Sequence, residues 1–254
     1  MRYEIDRRVL AAHNRSPVFR HKVNGKTVYV KKRRRSKNPL SRLAQSLIHR
    51  LSGNPLTIAP PGPGGDSVDF EAGRLERLAE MGVDVPRVLH RGRNYFVMSD
   101  AGPTLAKLLA NQPDRASGVV AGALGALRRL HNLGEAHGGA QIKNITLRDG
   151  RTHFIDFEDD IQGDAVGPFQ LRDVFLFLFS LERQGLDPDI AGLCGIYDAG
   201  GDATRKKLCA ALAGLRTARL LNSRFLSPLG MRDIRSLIRL IDKAETLTRN
   251  MEKT

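Results

Sequence analysis

The segment from Asn144 to Asp156 constrains this chain more tightly than any other stretch of similar length. Asp149-Gly150 is a type I′ turn signal, because both central positions of such a turn need positive φ. Ile145-Thr146-Leu147 and Thr152-His153-Phe154-Ile155 read as the strands on either side. A two-residue loop pairs residue 148 with residue 151, and the register then runs outward to set Asp156 opposite Lys143 and diagonal to Asn144. Diagonal neighbours lie roughly 7–8 Å apart. A carboxylate and an amide oxygen thus converge at the open end of a hairpin, a pairing that suits Mg²⁺. Glu158, Asp159 and Asp160 add negative charge in a basic chain, and Glu158 is a third candidate ligand. The plainer alternative is a solvated turn.

A second constraint comes from Glu71. It stands four residues before Leu75 and seven before Leu78, on the apolar side of a helix expected over Val68 to Met81 with Asp66 or Ser67 as its cap. Phe70 to Ala79 fit the stripe of that helix. An unpaired carboxylate there is costly. Lys31 is a suitable partner: it ends a strand in which Val28 and Val30 face one way and Tyr29 and Lys31 the other. A Lys–Glu pair at a cleft can hold an ammonium on nucleotide phosphates. The alternative is a solvated Glu71 at the edge of the stripe.

The remaining elements follow from local signals. Asn24-Gly25 predicts a hairpin over Val18 to Lys32. Leu40, Leu43, Leu47, Ile48 and Leu51 mark an amphipathic helix over 40–51. Ala59 to Gly65 is a Pro/Gly breaker. Val85–His90 and Tyr95–Ser99 read as strands, and Thr104–Ala110 and Ala116–Leu133 as helices. Strands with one helix come first, then mostly helices, which is an α+β order with a cleft expected near residue 100.

Composition sets outer limits. A chain of 254 residues with 41% hydrophobic content can build a sizeable core. No apolar run approaches the ~20 residues of a spanning helix; Val174–Leu181 reads as a buried helix. Two cysteines, Cys194 and Cys209, without metal-type spacing suggest reduced thiols and a cytoplasmic setting. The net charge of +14 is local: residues 1–50 hold 15 Lys and Arg against only Glu4 and Asp6. The basic segment 31–37 suits an anionic partner, whether a phosphorylated glycan, an anionic lipid surface or RNA. It lacks interleaved aromatics, which argues against base stacking. Peripheral attachment at the inner face of a membrane is one reading of that segment; a solvated face is another.

Taken together, these segments resemble the protein-kinase-like superfamily, in particular the small atypical kinases of the Bud32, RIO and lipopolysaccharide-kinase group. Val28-Tyr29-Val30-Lys31 resembles the strand ending in the phosphate-binding Lys, and Glu71 the helix Glu that pairs with it. Tyr95 to Asp100 resembles the inter-lobe hinge, which implies nucleotide contacts at Met98 and Asp100. His137-Gly138 with Asn144 resembles the catalytic loop, Asp156-Phe157-Glu158 the metal-binding motif, and Asp173 the helix Asp that braces the loop. The resemblance covers roughly residues 18–183. It implies a two-lobed fold, with a small nucleotide-binding lobe over 1–98 and a helical large lobe over 99–254. It also implies ATP and Mg²⁺ as cofactors, with Asp156, Asn144 and Lys143 at the reacting phosphate.

Three departures qualify the expected activity. Gly139 stands where the family's base Asp accepts the substrate proton. No glycine precedes Phe19, where a phosphate-covering loop would lie. Glu158 replaces a Gly. Lys143 can neutralise a transferring phosphate but is a poor base. The expectation is therefore an atypical phosphotransferase acting on a protein, lipid-linked sugar or small molecule. The alternative is a pseudokinase that binds nucleotide and serves as a scaffold or regulator.

Overall fold

Both Gly-containing turns form as the sequence predicts. The computed structural model describes residues 3–33, 53–59, 61, 67–112, 116–216 and 231–251. Strands β1 (Val18–Val23) and β2 (Lys26–Lys32) join through Asn24 and Gly25, at φ 50° and 74°. Strands β3 (Val88–Gly92) and β4 (Tyr95–Ser99) complete an antiparallel sheet in the order β1-β2-β4-β3. Strand β3 starts later than expected from Val85, because Pro86 has no N–H for a ladder. The amide of Ser99 still reaches back to the Arg87 carbonyl, at 2.9 Å.

The sheet has two working faces. On one, Val28, Val30, Phe19, Tyr95 and Val97 form a small core with Ile5. Helix α1 (Arg7–Ala12) and the segment before it cover this core; the Ile5 amide donates to the Tyr95 hydroxyl at 3.1 Å. On the other face, Tyr29, Phe96 and Met98 join the main core. Helix α2 (Ser67–Glu80) packs there through Val68, Ala72, Leu75 and Leu78. Its buried stripe is narrower than expected: Phe70 is half-buried and Ala79 exposed. Glu71 and Arg74 take the remaining inward positions.

Beyond Ser99 the chain crosses to the helical part along a stitched path. Gly102 lies at φ 84°, and a Cβ there would stand 2.3 Å from the Leu147 carbonyl oxygen, so only glycine fits. The Leu147 amide donates to the Pro103 carbonyl at 3.0 Å. Thr104 caps helix α3 (Leu105–Asn111), and α4 (Ala116–Asn132) follows. The hairpin of β5 (Ile145–Arg148) and β6 (Arg151–Phe154) turns at Asp149 and Gly150, at φ 51° and 75°, in the predicted register.

Helices α5 (Val166–Gln184), α6 (Ile190–Tyr197), α7 (Ala203–Ala213) and α8 (Met231–Met251) complete the described chain. Val174, Phe177, Leu178 and Leu181 of α5 are buried. Each such side chain contributes about 1.5–3 kcal/mol. Cys194 and Cys209 are buried free thiols. Among the described residues, no helix is long and apolar enough to cross a membrane. The expected helix over 40–51, Arg34, Arg35 and Lys37 of the basic segment, the Asp66 cap and most of the breaker before it lie outside the described residues.

Candidate active site

The pairing of β2 with β4 buries the Lys31 side chain on the face toward α2. Lys31 is 8% exposed and Glu71 only 2%. Their charged ends meet at 2.5 Å. The same ammonium donates to Asp156 Oδ1 at 2.6 Å and to Glu158 Oε1 at 3.4 Å. Three donors on one nitrogen thus serve three carboxylates. Burial alone would lower the Lys31 pKa, but the carboxylates outweigh it and hold the ammonium above its ordinary range. With one cation among three acids, the least solvated acid is left short of compensation. Burial pushes Glu71 up to about 7, against the pull of Lys31. Asp156, about two-fifths exposed, also loses solvation, yet the Lys31 ammonium holds its carboxyl below the usual range.

The loop from His137 to Asn144 is tied down from beneath. Asp173, fully buried on α5, accepts the amides of His137 at 2.7 Å and of Gly138 and Ala140 at 3.2 Å. Burial would raise its carboxyl; the His131 ring and the loop amides hold it low. His137 Nε2 donates to the Ile155 carbonyl at 3.0 Å, and its Nδ1 accepts the Gly139 amide at 3.2 Å. One neutral tautomer satisfies both bonds, and burial lowers the pKa of the ring accordingly. His137 also stacks on Phe157, centroids 4.5 Å apart. It is an anchor joining the loop to the strand end.

That strand end carries Asp156. The Ile155 amide donates to the Asn144 carbonyl at 3.0 Å, extending the ladder one step past the hairpin. Asp156 then takes φ 73°, a left-handed conformation that Asp tolerates better than most residues. Asn144 Nδ2 donates to the Gly139 carbonyl at 2.9 Å, which leaves Oδ1 as its acceptor atom. Carboxylate oxygens of Glu71, Asp156 and Glu158 come within 4.8 Å of one another. Hard oxygen donors with excess negative charge fit a divalent ion such as Mg²⁺.

The other predicted residues lie elsewhere. Lys143 is exposed and lines a recess with Gln141, Ser180 and Arg183. Met98 is buried in the main core opposite Tyr29. The Asp100 Oδ1 accepts the Gly102 amide at 2.9 Å. Before β1 stands helix α1 rather than a strand, with Lys32 Nζ donating to the His13 carbonyl at 2.5 Å and to that of Leu10 at 3.3 Å. Two cations of the basic segment, Lys31 and Lys32, therefore serve internal contacts.

Sequence reasoning missed Arg74 and Arg172. Arg74 Nη2 donates to the Ala136 carbonyl at 2.6 Å and Nη1 to that of Asp159, with the guanidinium 5.2 Å above the Phe157 ring. Arg172 Nη1 donates to the Gly138 carbonyl at 2.5 Å. The signal for Arg74 was its place on the apolar stripe, one turn beyond Glu71. Asp159 comes close as well: its Oδ2 would lie 3.3 Å from a Cβ built on Gly138.

No family model matches the chain. Over 105 residues it is 32% identical to the KEOPS complex subunit Bud32 of Pyrococcus abyssi, covering 38% of this chain and 48% of that subunit. The described architecture is the expected α+β one, a four-stranded antiparallel sheet followed mainly by helices. A second relative is an uncharacterized protein of Haemophilus influenzae, 30% identical over 113 residues, 43% of this chain and 47% of that protein. The chain spans about half the length of the curated relatives it matches. Among solved structures it is similar to the Rio2 kinase–ADP/Mg²⁺–phosphoaspartate complex of Chaetomium thermophilum. The TM-score is 0.46 at 19% identity, covering 93% of this chain and 75% of that one.

Proposed function

We propose that the chain has a protein-kinase-like fold, binds a magnesium nucleotide between a small lobe, residues 1–98, and a large lobe, 99–254, and acts as an atypical phosphotransferase. The observation that carries this reading is the buried Lys31 ammonium held between Glu71 and Asp156. Lys31 would hold nucleotide phosphates, Glu71 would orient Lys31, and Asp156, Asn144 and Glu158 would hold Mg²⁺. Met98 and Asp100 would border the base, and Lys143 would offset charge on the transferring group. The bound ion and nucleotide would supply the phosphoryl group and its charge neutralisation; positioning and electrostatics provide most of such catalysis. The acceptor class is a protein, a lipid-linked sugar or a small molecule, in the cytoplasm or at the inner membrane face. An anionic partner at residues 31–37 would have to use cations beyond Lys31 and Lys32.

Gly139 favours a second reading, in which nucleotide binds without turnover. The two are separated by thermal shift with Mg·ATP followed by an ATP-consumption assay. Binding predicts a raised melting temperature that Asp156→Asn abolishes, since Asn keeps the left-handed preference while losing the charge. No shift with any nucleotide would overturn both readings. Turnover by the native chain supports the transferase; turnover only in Gly139→Asp supports the pseudokinase.

A further inference from the structure

A recess of about 600 Å³ lies on the face of the sheet opposite Lys31. Strand alternation explains its lining. Lys26 and Val28 share the face of β2 that Lys31 does not. Ser99 pairs with Val28, and Arg87 binds Ser99 through two backbone-centred hydrogen bonds, so both border the same side. Leu89 and Tyr3 pack on the small core there. Arg148 enters from the β5–β6 hairpin, across the connection between the sheet and the helices.

The charge balance of this recess is one-sided. Lys26, Arg87 and Arg148 border it against a single carboxylate, Asp100. That carboxylate already accepts the Gly102 amide. Lys26 and Arg87 are exposed, and neither side chain is paired with a carboxylate among the described residues. Arg148 donates to the Asp100 carbonyl and pairs with the fully solvated Asp149. Three cations around one concavity repel one another, and a multiply charged anion would remove that repulsion while gaining charge-assisted hydrogen bonds. The hydroxyl of Ser99 offers a further donor. The volume falls within the range of small-molecule sites.

We infer that this recess is a second ligand site, for a small phosphorylated molecule carrying two or more negative charges, separate from the Lys31 cleft. Its cations come from both sides of the connection at Ser99 and Asp100, so the ligand would clamp the sheet against the hairpin that carries Asn144 and Asp156. The site does not depend on the chain's being a phosphotransferase.

The test uses inorganic pyrophosphate as the probe, without Mg²⁺, on the full chain by calorimetry. Lys26→Gln/Arg87→Gln is expected to weaken binding by about ten-fold or more, while Lys31→Met changes it by less than about two-fold. The Gln substitutions fall on exposed side chains and should leave the melting temperature close to native. Weakening by Arg148→Gln would place the ligand across the connection as described. Absence of pyrophosphate binding, binding indifferent to Lys26 and Arg87, or binding lost only in Lys31→Met would each overturn the inference.

Discussion

Glu71 is the residue at which the electrostatics of the candidate site are most exposed to measurement. Its pKa is raised in the folded chain to about 7, from an ordinary 4.5. Folding therefore favours its protonated form. The stability it contributes is complete below about pH 4.5 and is lost as pH rises through about 7. Asp156 has the opposite sign: its lowered pKa contributes stability above pH 3.8, lost on acidification. Glu71→Gln is expected to flatten the pH dependence of the melting temperature between pH 4.5 and 7, leaving the acid limb intact. An unchanged slope between those limits would show that Glu71 is ionised throughout, fully compensated by Lys31.

At the scale of elements, the loop over 137–144 depends on one carboxylate in α5. Asp173→Asn replaces an acceptor oxygen with an N–H donor facing the loop amides, which strands at least one buried N–H. The expected cost is about 1–3 kcal/mol in urea unfolding, together with loss of any nucleotide-induced shift. A stable Asp173→Asn variant with a full shift would mean that the loop holds itself. How much of this was legible in sequence depends on the range of the signal. The β5–β6 hairpin could be read to the residue, because Asp149-Gly150 fixes turn type and register together. Lys31 and Glu71 could be paired because a carboxylate on an apolar stripe demands a partner. The donation of Arg74 and Arg172 to loop carbonyls could not be read, since long side chains reach across elements with no local periodicity. Helix α1 was missed because its six residues, Arg7–Ala12, give too short a pattern. The start of β3 slipped because Val85 reads as a strand while Pro86 forbids it.

For the whole molecule, the candidate site is shared between the four-stranded sheet and the end of the β5–β6 hairpin. Lys31 belongs to the sheet and Asp156 to the end of the hairpin, and their 2.6 Å contact spans 125 residues of sequence. A ligand held by both binds the folded chain alone. At a concentration one hundred times its dissociation constant, it would add about 2.7 kcal/mol to stability. In a double-mutant cycle, Lys31→Met and Asp156→Asn should each remove most of the Mg·ATP shift, and the pair should remove little more than either one. Additive losses would indicate two independent sites in place of one shared cleft.

The backbone at Gly139 needs no glycine. A side chain added there would meet Asn144 Nδ2 at 3.7 Å and His137 Nδ1 at 4.0 Å, ordinary contact distances, and the φ angle lies outside the left-handed region. Architecture and chemistry are thus decoupled at this position. Natural variation at 139 can be filtered for what the cleft does almost free of any penalty on folding, whereas a neighbour such as Gly138, at φ 86° against Ile161, answers to the fold first.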